Sequence, residues 1–162
     1  MHFPRYIILL MGVLAASLHT AGAQVPDEAA IRARVQEYVA AFNRGDASAA
    51  ASIYAVDGTH TYALGFTHRG RAAIEQGLSE LLAGPWKGAR LAITTDAIRF
   101  LTRAIAVEEE SFVVSGLRSD TGAELPPVKG LCVDILQKQG GLWFAAAVQC
   151  MVPPPTAGPP VK

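Results

Sequence analysis

The sequence predicts an α+β fold, with helices packed on one face of a mostly antiparallel sheet. Two observations carry this. Up to residue 83 the apolar residues recur at helical spacing, broken by glycines at turn positions. From Arg90 onward the texture changes to four runs rich in branched and aromatic residues, LAITTDAIRF, AIAVEEESFVVSG, GLCVDILQ and LWFAAAVQCMV. Helical stretches followed by a block of strands mark this fold class.

In chain order, Asp27 follows Pro26 and can cap a first helix, whose buried stripe is Ile31, Val35, Tyr38 and Phe42. Gly45 stands where a helix end needs a residue able to adopt positive φ. Asp46 then offers its carboxylate to the open N–H groups of a short second helix, from Asp46 to Ala55, which carries Tyr54. Asp57-Gly58 reads as a turn into a strand through His60 and Tyr62, and His68-Arg69 as part of an exposed loop. A third helix over Arg71 to Ala83 presents Ile74, Leu78, Leu81 and Leu82, and Gly84-Pro85 stops it. Among the four strands, Thr102-Arg103 marks a turn, Ser119 to Pro127 a longer loop, and Gly140-Gly141 a hairpin.

The ends differ from this body. MHFPRYIILLMGVLAASLHTAGAQ has a basic Arg5, an apolar stretch from Tyr6 to Leu18 and a small-residue Ala21-Gly22-Ala23 site. The apolar stretch is shorter than the roughly 20 residues of a spanning helix. Residues 1–23 are therefore expected to be a cleaved signal peptide, residues 24–152 a single domain, and the Pro-rich residues 153–162 a disordered tail. The expected destination is the periplasm or the exterior, with no membrane association after cleavage. Removing 23 of 162 residues leaves 139, enough for one core. With Arg5 gone, 13 basic and 14 acidic side chains remain, a balance that offers nucleic acid no footprint.

Cys132 and Cys150 flank the last hairpin, and an exported chain favours bridging them. A turn centred on Gly141 sets them directly opposite; a turn centred between the glycines offsets them by one residue, onto opposite faces. The chain contains no GxGxxG, GxxxxGK[ST] or GxSxG, which leaves dinucleotide, P-loop and serine-hydrolase readings without support. His60 and His68 lack a histidine partner at helical spacing, so neither a metal nor another cofactor is expected.

The run YVAAFNRGD followed by SIYAVDGTHTY resembles the opening of the nuclear transport factor 2-like superfamily, in its SnoaL-like and SgcJ/EcaC-type branch. The resemblance implies a cone: a curved sheet wrapped around the helices, with a pocket inside. It also implies pairing of sheets into a homodimer. A partial resemblance to ketosteroid isomerase implies site residues. Tyr38, in Y-VAAF-NRGD, stands where that enzyme has an oxyanion-hole tyrosine, and Asp134, six residues before Gly140, where it has an oxyanion-hole aspartic acid. The position of its general base falls on Tyr62.

His60 is the local substitute, because imidazole titrates near neutrality, and it shares a strand face with Tyr62. Phe42, Tyr54 and Tyr62 are candidate pocket walls. Of Glu108-Glu109-Glu110, alternation sends Glu109 to the face opposite the other two, and Glu109 is the candidate ligand contact. Two functions fit. One is a cofactor-independent isomerase or cyclase-like enzyme that moves a proton on a small hydrophobic carbonyl compound. The other is a non-catalytic periplasmic ligand-binding or dimerisation module.

Overall fold

A computed structural model describes the backbone of residues 11–153 except Leu64, and side chains from Pro26 onward. Residues 1–10 of the expected leader and 154–162 of the expected tail lie outside them. The element order is α1 (Met11–Asn43), α2 (Ala47–Ala51), β1 (Tyr54–Thr61), β2 (Thr67–Arg69), α3 (Arg71–Ala83), β3 (Arg90–Phe100), β4 (Ile105–Ser115), β5 (Val128–Gln139) and β6 (Leu142–Met151). The strands form one curved sheet in the order β2-β1-β6-β5-β4-β3. Only the β1–β6 pairing is parallel.

The helical stripe of α1 is buried as its spacing predicts: Ile31, Val35, Tyr38 and Phe42 all enter the core. Asn43, at its end, acts as a strand partner. Its side-chain amide donates to the carbonyl of Leu91 (2.9 Å) and accepts from the Leu91 N–H (2.8 Å), which docks α1 on β3. Gly45 has φ 73°, and the Asp46 carboxylate accepts from the Ala49 N–H at 3.0 Å.

Four local expectations change. Asp27 caps nothing, because α1 continues through it; its carboxylate instead pairs with Lys138 and accepts from Trp143 Nε1 at 3.1 Å. The second helix ends at Ala51, and Tyr54 belongs to β1 rather than to that helix. The edge of β6 offers Ile53 and Tyr54 ladder partners, and that pairing overrides the helix propensity of an Ala-rich run. Asp57-Gly58 makes no chain-reversing turn. It lies within β1, where pairing with β6 shifts between Tyr54 and Thr59. A Cβ on Gly58 would stand 2.8 Å from the Ala145 carbonyl oxygen, so only glycine permits this approach. His68 and Arg69, expected in a loop, form β2 against β1.

The last hairpin resolves the cysteine question in an unexpected way. Gly140 and Gly141 both have positive φ (56° and 85°) and form a two-residue turn, with Gln139 opposite Leu142. That turn alone would offset the cysteines. The register then shifts between Ile135 and Leu136, where Ala146 is the extra residue of β6, and Cys132 ends directly opposite Cys150. The two form a disulfide with Cα atoms 4.1 Å apart. The bridge closes a sequence separation of 18 residues. On the chain-entropy account it contributes about 3 kcal/mol. Urea unfolding with and without reductant should therefore differ by about that amount, and the unfolded chain should show no titratable thiol until reductant is added.

Candidate functional site

Alternation along β4 and β5 decides which polar side chains enter the interior. β5 turns Cys132, Asp134 and Leu136 inward and leaves Leu131, Val133 and Ile135 on the outer face. Glu108 pairs directly with Asp134, and Glu110 with Cys132. Glu108 and Glu110 are therefore inside, at 1% and 6% exposure, beside Asp134 at 6%. Glu109 is on the outer face, in a cleft that Asp96, Leu131, Val133 and Met151 line and that Glu110 and Cys132 also border. The expectation that Glu109 contacts an interior ligand is corrected by this register. Its two neighbours take the inner position.

The three inner carboxyls converge, each with an oxygen within 4.8 Å of the others. One Glu108 oxygen accepts from the Thr95 hydroxyl at 2.6 Å. Asp134 Oδ1 is buried without a partner. Burial, the largest cause, raises the proton affinity of all three, and neighbouring acids raise Glu110 and Asp134 further. Glu110 is pushed up to about 8, and Asp134 is held well above the ordinary carboxyl range. Glu108 is raised chiefly by burial, with the Thr95 bond and Arg32 opposing.

Next to the carboxyls lies a column of aromatic residues. Tyr38 meets Phe42 and Tyr54 with ring centroids 6.2 and 6.3 Å apart. The Tyr54 hydroxyl is 2.7 Å from His60 Nδ1, and His60 stacks on Tyr62 at 4.0 Å. Burial, the largest cause, raises the phenol pKa values of Tyr38 and Tyr54, and negative charge on Glu110 or Asp134 would raise them further. Tyr62, half-buried, is pushed up to about 12 by burial. All three tyrosines are therefore neutral hydrogen-bond donors near pH 7.

His60 departs from the role expected of it. Burial, with a smaller push from His68, brings its pKa down to about 3. A neutral imidazole so reluctant to bind a proton is poorly matched to general-base work. Glu110 has the matching affinity.

A cavity of ≈ 20 Å³ adjoins the carboxyls, walled by Ile31, Arg34 and Val35 of α1 and by Glu108, Asp134 and Trp143 of the sheet. It has room for about one water. Tyr38, Phe42, Tyr54, His60 and Tyr62 do not line it; they form the adjoining core.

A SnoaL-like domain model matches residues 35–146. The chain belongs to the SnoaL-like domain family. Among solved structures, it is similar to a putative scytalone dehydratase from Novosphingobium aromaticivorans (18% identity, 82% of this chain and 88% of that one, TM-score 0.72). It is also similar to a domain of unknown function with a cystatin-like fold from Nostoc punctiforme (21%, 81% and 80%, TM-score 0.71). An NTF-2 like protein of unknown function from Shewanella oneidensis matches too (15%, 77% and 98%, TM-score 0.66). None of the curated proteins compared with this SnoaL-like chain matches it. At these identities the structural likeness shows the fold. The finer resemblances, to SgcJ/EcaC-type proteins and to ketosteroid isomerase, rest on the quoted residues alone.

The raised carboxyls make stability depend on pH in a defined direction. A carboxyl with a raised folded-state pKa stabilises below its unfolded value, and that contribution is lost as pH rises through the folded one. His60, with a depressed pKa, contributes in the opposite sense, losing stability as pH falls from about 6.5 toward about 3. From about pH 7.5 upward the unfolded-state imidazole is neutral too, and the carboxyl effect dominates through about pH 8.5. The melting temperature in chelator-treated buffer should fall across that window, and Glu110→Gln should flatten the fall.

Proposed function

We propose that this SnoaL-like domain is an exported, cofactor-independent enzyme of the isomerase or cyclase kind, moving a proton on a small hydrophobic carbonyl compound. The observation that carries this reading is Asp134: a buried carboxyl with a partnerless oxygen, beside two further inner acids and next to neutral tyrosines. A carboxylic acid kept protonated by an apolar site can donate a hydrogen bond to a developing enolate, as the oxyanion-hole aspartic acid of ketosteroid isomerase does.

In this reading Asp134 and Tyr38 donate to the substrate oxygen, and Glu110 takes the proton from the adjacent carbon. Glu110 replaces His60 as base because its affinity for protons lies near the working pH. Ile31 and Val35 supply apolar walls. The cavity is smaller than any such substrate, so binding requires α1 to yield. The putative dehydratase among the similar structures supports proton-transfer chemistry on this fold. Export is supported by the disulfide, and no helix among the described residues is long and apolar enough to cross a membrane.

A planar phenolate, mimicking an enolate, should bind to the chelator-treated protein. Tyr38→Phe should weaken it by about 1.5–3 kcal/mol, the worth of a hydrogen bond to a charged group. Asp134→Asn should be milder, since an amide still donates, and Asp134→Leu should abolish binding. Equal affinity in all three variants, measured by calorimetry, would reject the oxyanion reading.

A second reading, a non-catalytic ligand-binding or dimerisation module, draws on the outer face. Leu131, Val133, Ile135 and Met151 are 38–48% exposed there. Such a patch suits a closed pairing of two copies. Under either reading, light scattering should give the mass of a homodimer at micromolar concentration; a one-chain mass would count against the pairing.

A further inference from the structure

The inner acids lack the compensation that buried charges require. Arg32, the cation acting on Glu108, is exposed and already pairs with Glu28. Arg34 walls the cavity but pairs with Glu37 and donates to the Ser52 carbonyl. No lysine or arginine among the described residues forms an ion pair with Glu108, Glu110 or Asp134. Three carboxyls at one point must be neutralised, by protons or by a cation.

We propose that Glu108, Glu110 and Asp134 form a binding site for one hard divalent cation, best matched to Ca²⁺. The donor set is all oxygen, which suits Ca²⁺, Mg²⁺ or Mn²⁺ and not softer ions. Among these, Ca²⁺ accepts irregular geometry and sheds water readily, whereas Mg²⁺ demands a near-ideal octahedron and keeps its waters. Oxygens bound to one Ca²⁺ at 2.3–2.6 Å lie at most about 5 Å apart, whereas those around Mg²⁺ at 2.0–2.1 Å lie at most about 4 Å apart. The carboxyl oxygens fall within 4.8 Å of one another, inside the span that one Ca²⁺ shell covers.

The partnerless Asp134 Oδ1 is a second, independent pointer to a ligand. This aspartate is 6% exposed, and leaving its oxygen without a bond is costly unless something else takes the lone pairs. The Thr95 hydroxyl occupies and orients one Glu108 oxygen, leaving the other free to ligate. The adjoining cavity can supply a water as a further ligand. Histidine spacing could not reveal such a site, because its ligands are carboxylates from two paired strands.

The cation site does not rest on the enzymatic reading; its regulatory consequence for the same residues does. A cation and protons are alternative occupants. A loaded site holds Asp134 ionised, so it no longer donates to a substrate oxygen. Ca²⁺ would therefore switch the proton-transfer site off.

Calorimetric titration of the full chain with Ca²⁺, after chelation and dialysis, tests the site directly. One ion per chain should bind, raising the melting temperature. Glu110→Gln and Asp134→Asn should each weaken binding at least tenfold, while Glu109→Gln, on the outer face, should leave it unchanged. Should either inner variant fail to fold by circular dichroism, Glu108→Gln serves in its place. Absence of Ca²⁺ binding up to millimolar concentration would overturn the proposal, as would unchanged affinity in the inner variants or an equal loss in Glu109→Gln. Phenolate binding to the chelated protein tests the enzymatic reading separately, so either proposal can fail alone. If both hold, Ca²⁺ should displace the phenolate.

Discussion

The pairing of β4 with β5 is the constraint on which the interior depends. It sets Glu108 across from Asp134 and Glu110 across from Cys132, with all four side chains on the concave face. A slip of one residue would exchange that set for Glu109, Val133 and Leu131, because side chains alternate with a period of two. The chain holds the register from both sides. On one side the bulge at Ala146 lets Cys132 meet Cys150 and tie β5 to β6. On the other, Thr95 of β3 reaches Glu108.

A hydrophobic interior carrying several polar groups is stable only if each finds a partner or sheds its charge. The aromatic half of this interior sheds its charge, although the Tyr62 hydroxyl and His68 Nδ1 are buried without a partner. Tyr54 and His60 bond each other, burial keeps His60 neutral, and the phenols retain their protons. The acidic half is also incomplete. Thr95 partners one of the three acids, and an Asp134 oxygen has no partner. An apolar isostere would ordinarily be the more stable choice at such a position. Convergence of three acids, with Glu110 pushed up to about 8, marks them rather than His60 as the place where the fold gives up stability and chemistry becomes available.

Much of this architecture was legible from pattern. The stripe Ile31-Val35-Tyr38-Phe42, the Gly45-Asp46 break, α3 and the four late strands follow from spacing and turn chemistry, which act locally. The misreadings share one cause. Tyr54 left its helix, Asp57-Gly58 was absorbed into β1, and His68 joined a strand because distant strand edges offered backbone partners. Asp27 lost its capping role because α1 continues past it, and Lys138 and Trp143 claim its carboxylate instead.

The candidate site divides in the same way. Sequence alone determined the SnoaL-like class, the inward stripe with Tyr38, and the fact that Glu109 must oppose Glu108 and Glu110, since alternation needs no knowledge of the partner strand. The partial resemblance to ketosteroid isomerase supplied Asp134. Which side of β4 is concave was decided only by tertiary structure, and that choice brought Glu108 and Glu110 to Asp134 and sent Glu109 outward. The basicity of His60 was likewise out of reach, because desolvation depends on what surrounds the ring and not on its neighbours in the chain. Alternation is a property of one strand. Convergence of three carboxyls is a property of the register between two, β4 and β5, which only the folded chain brings together.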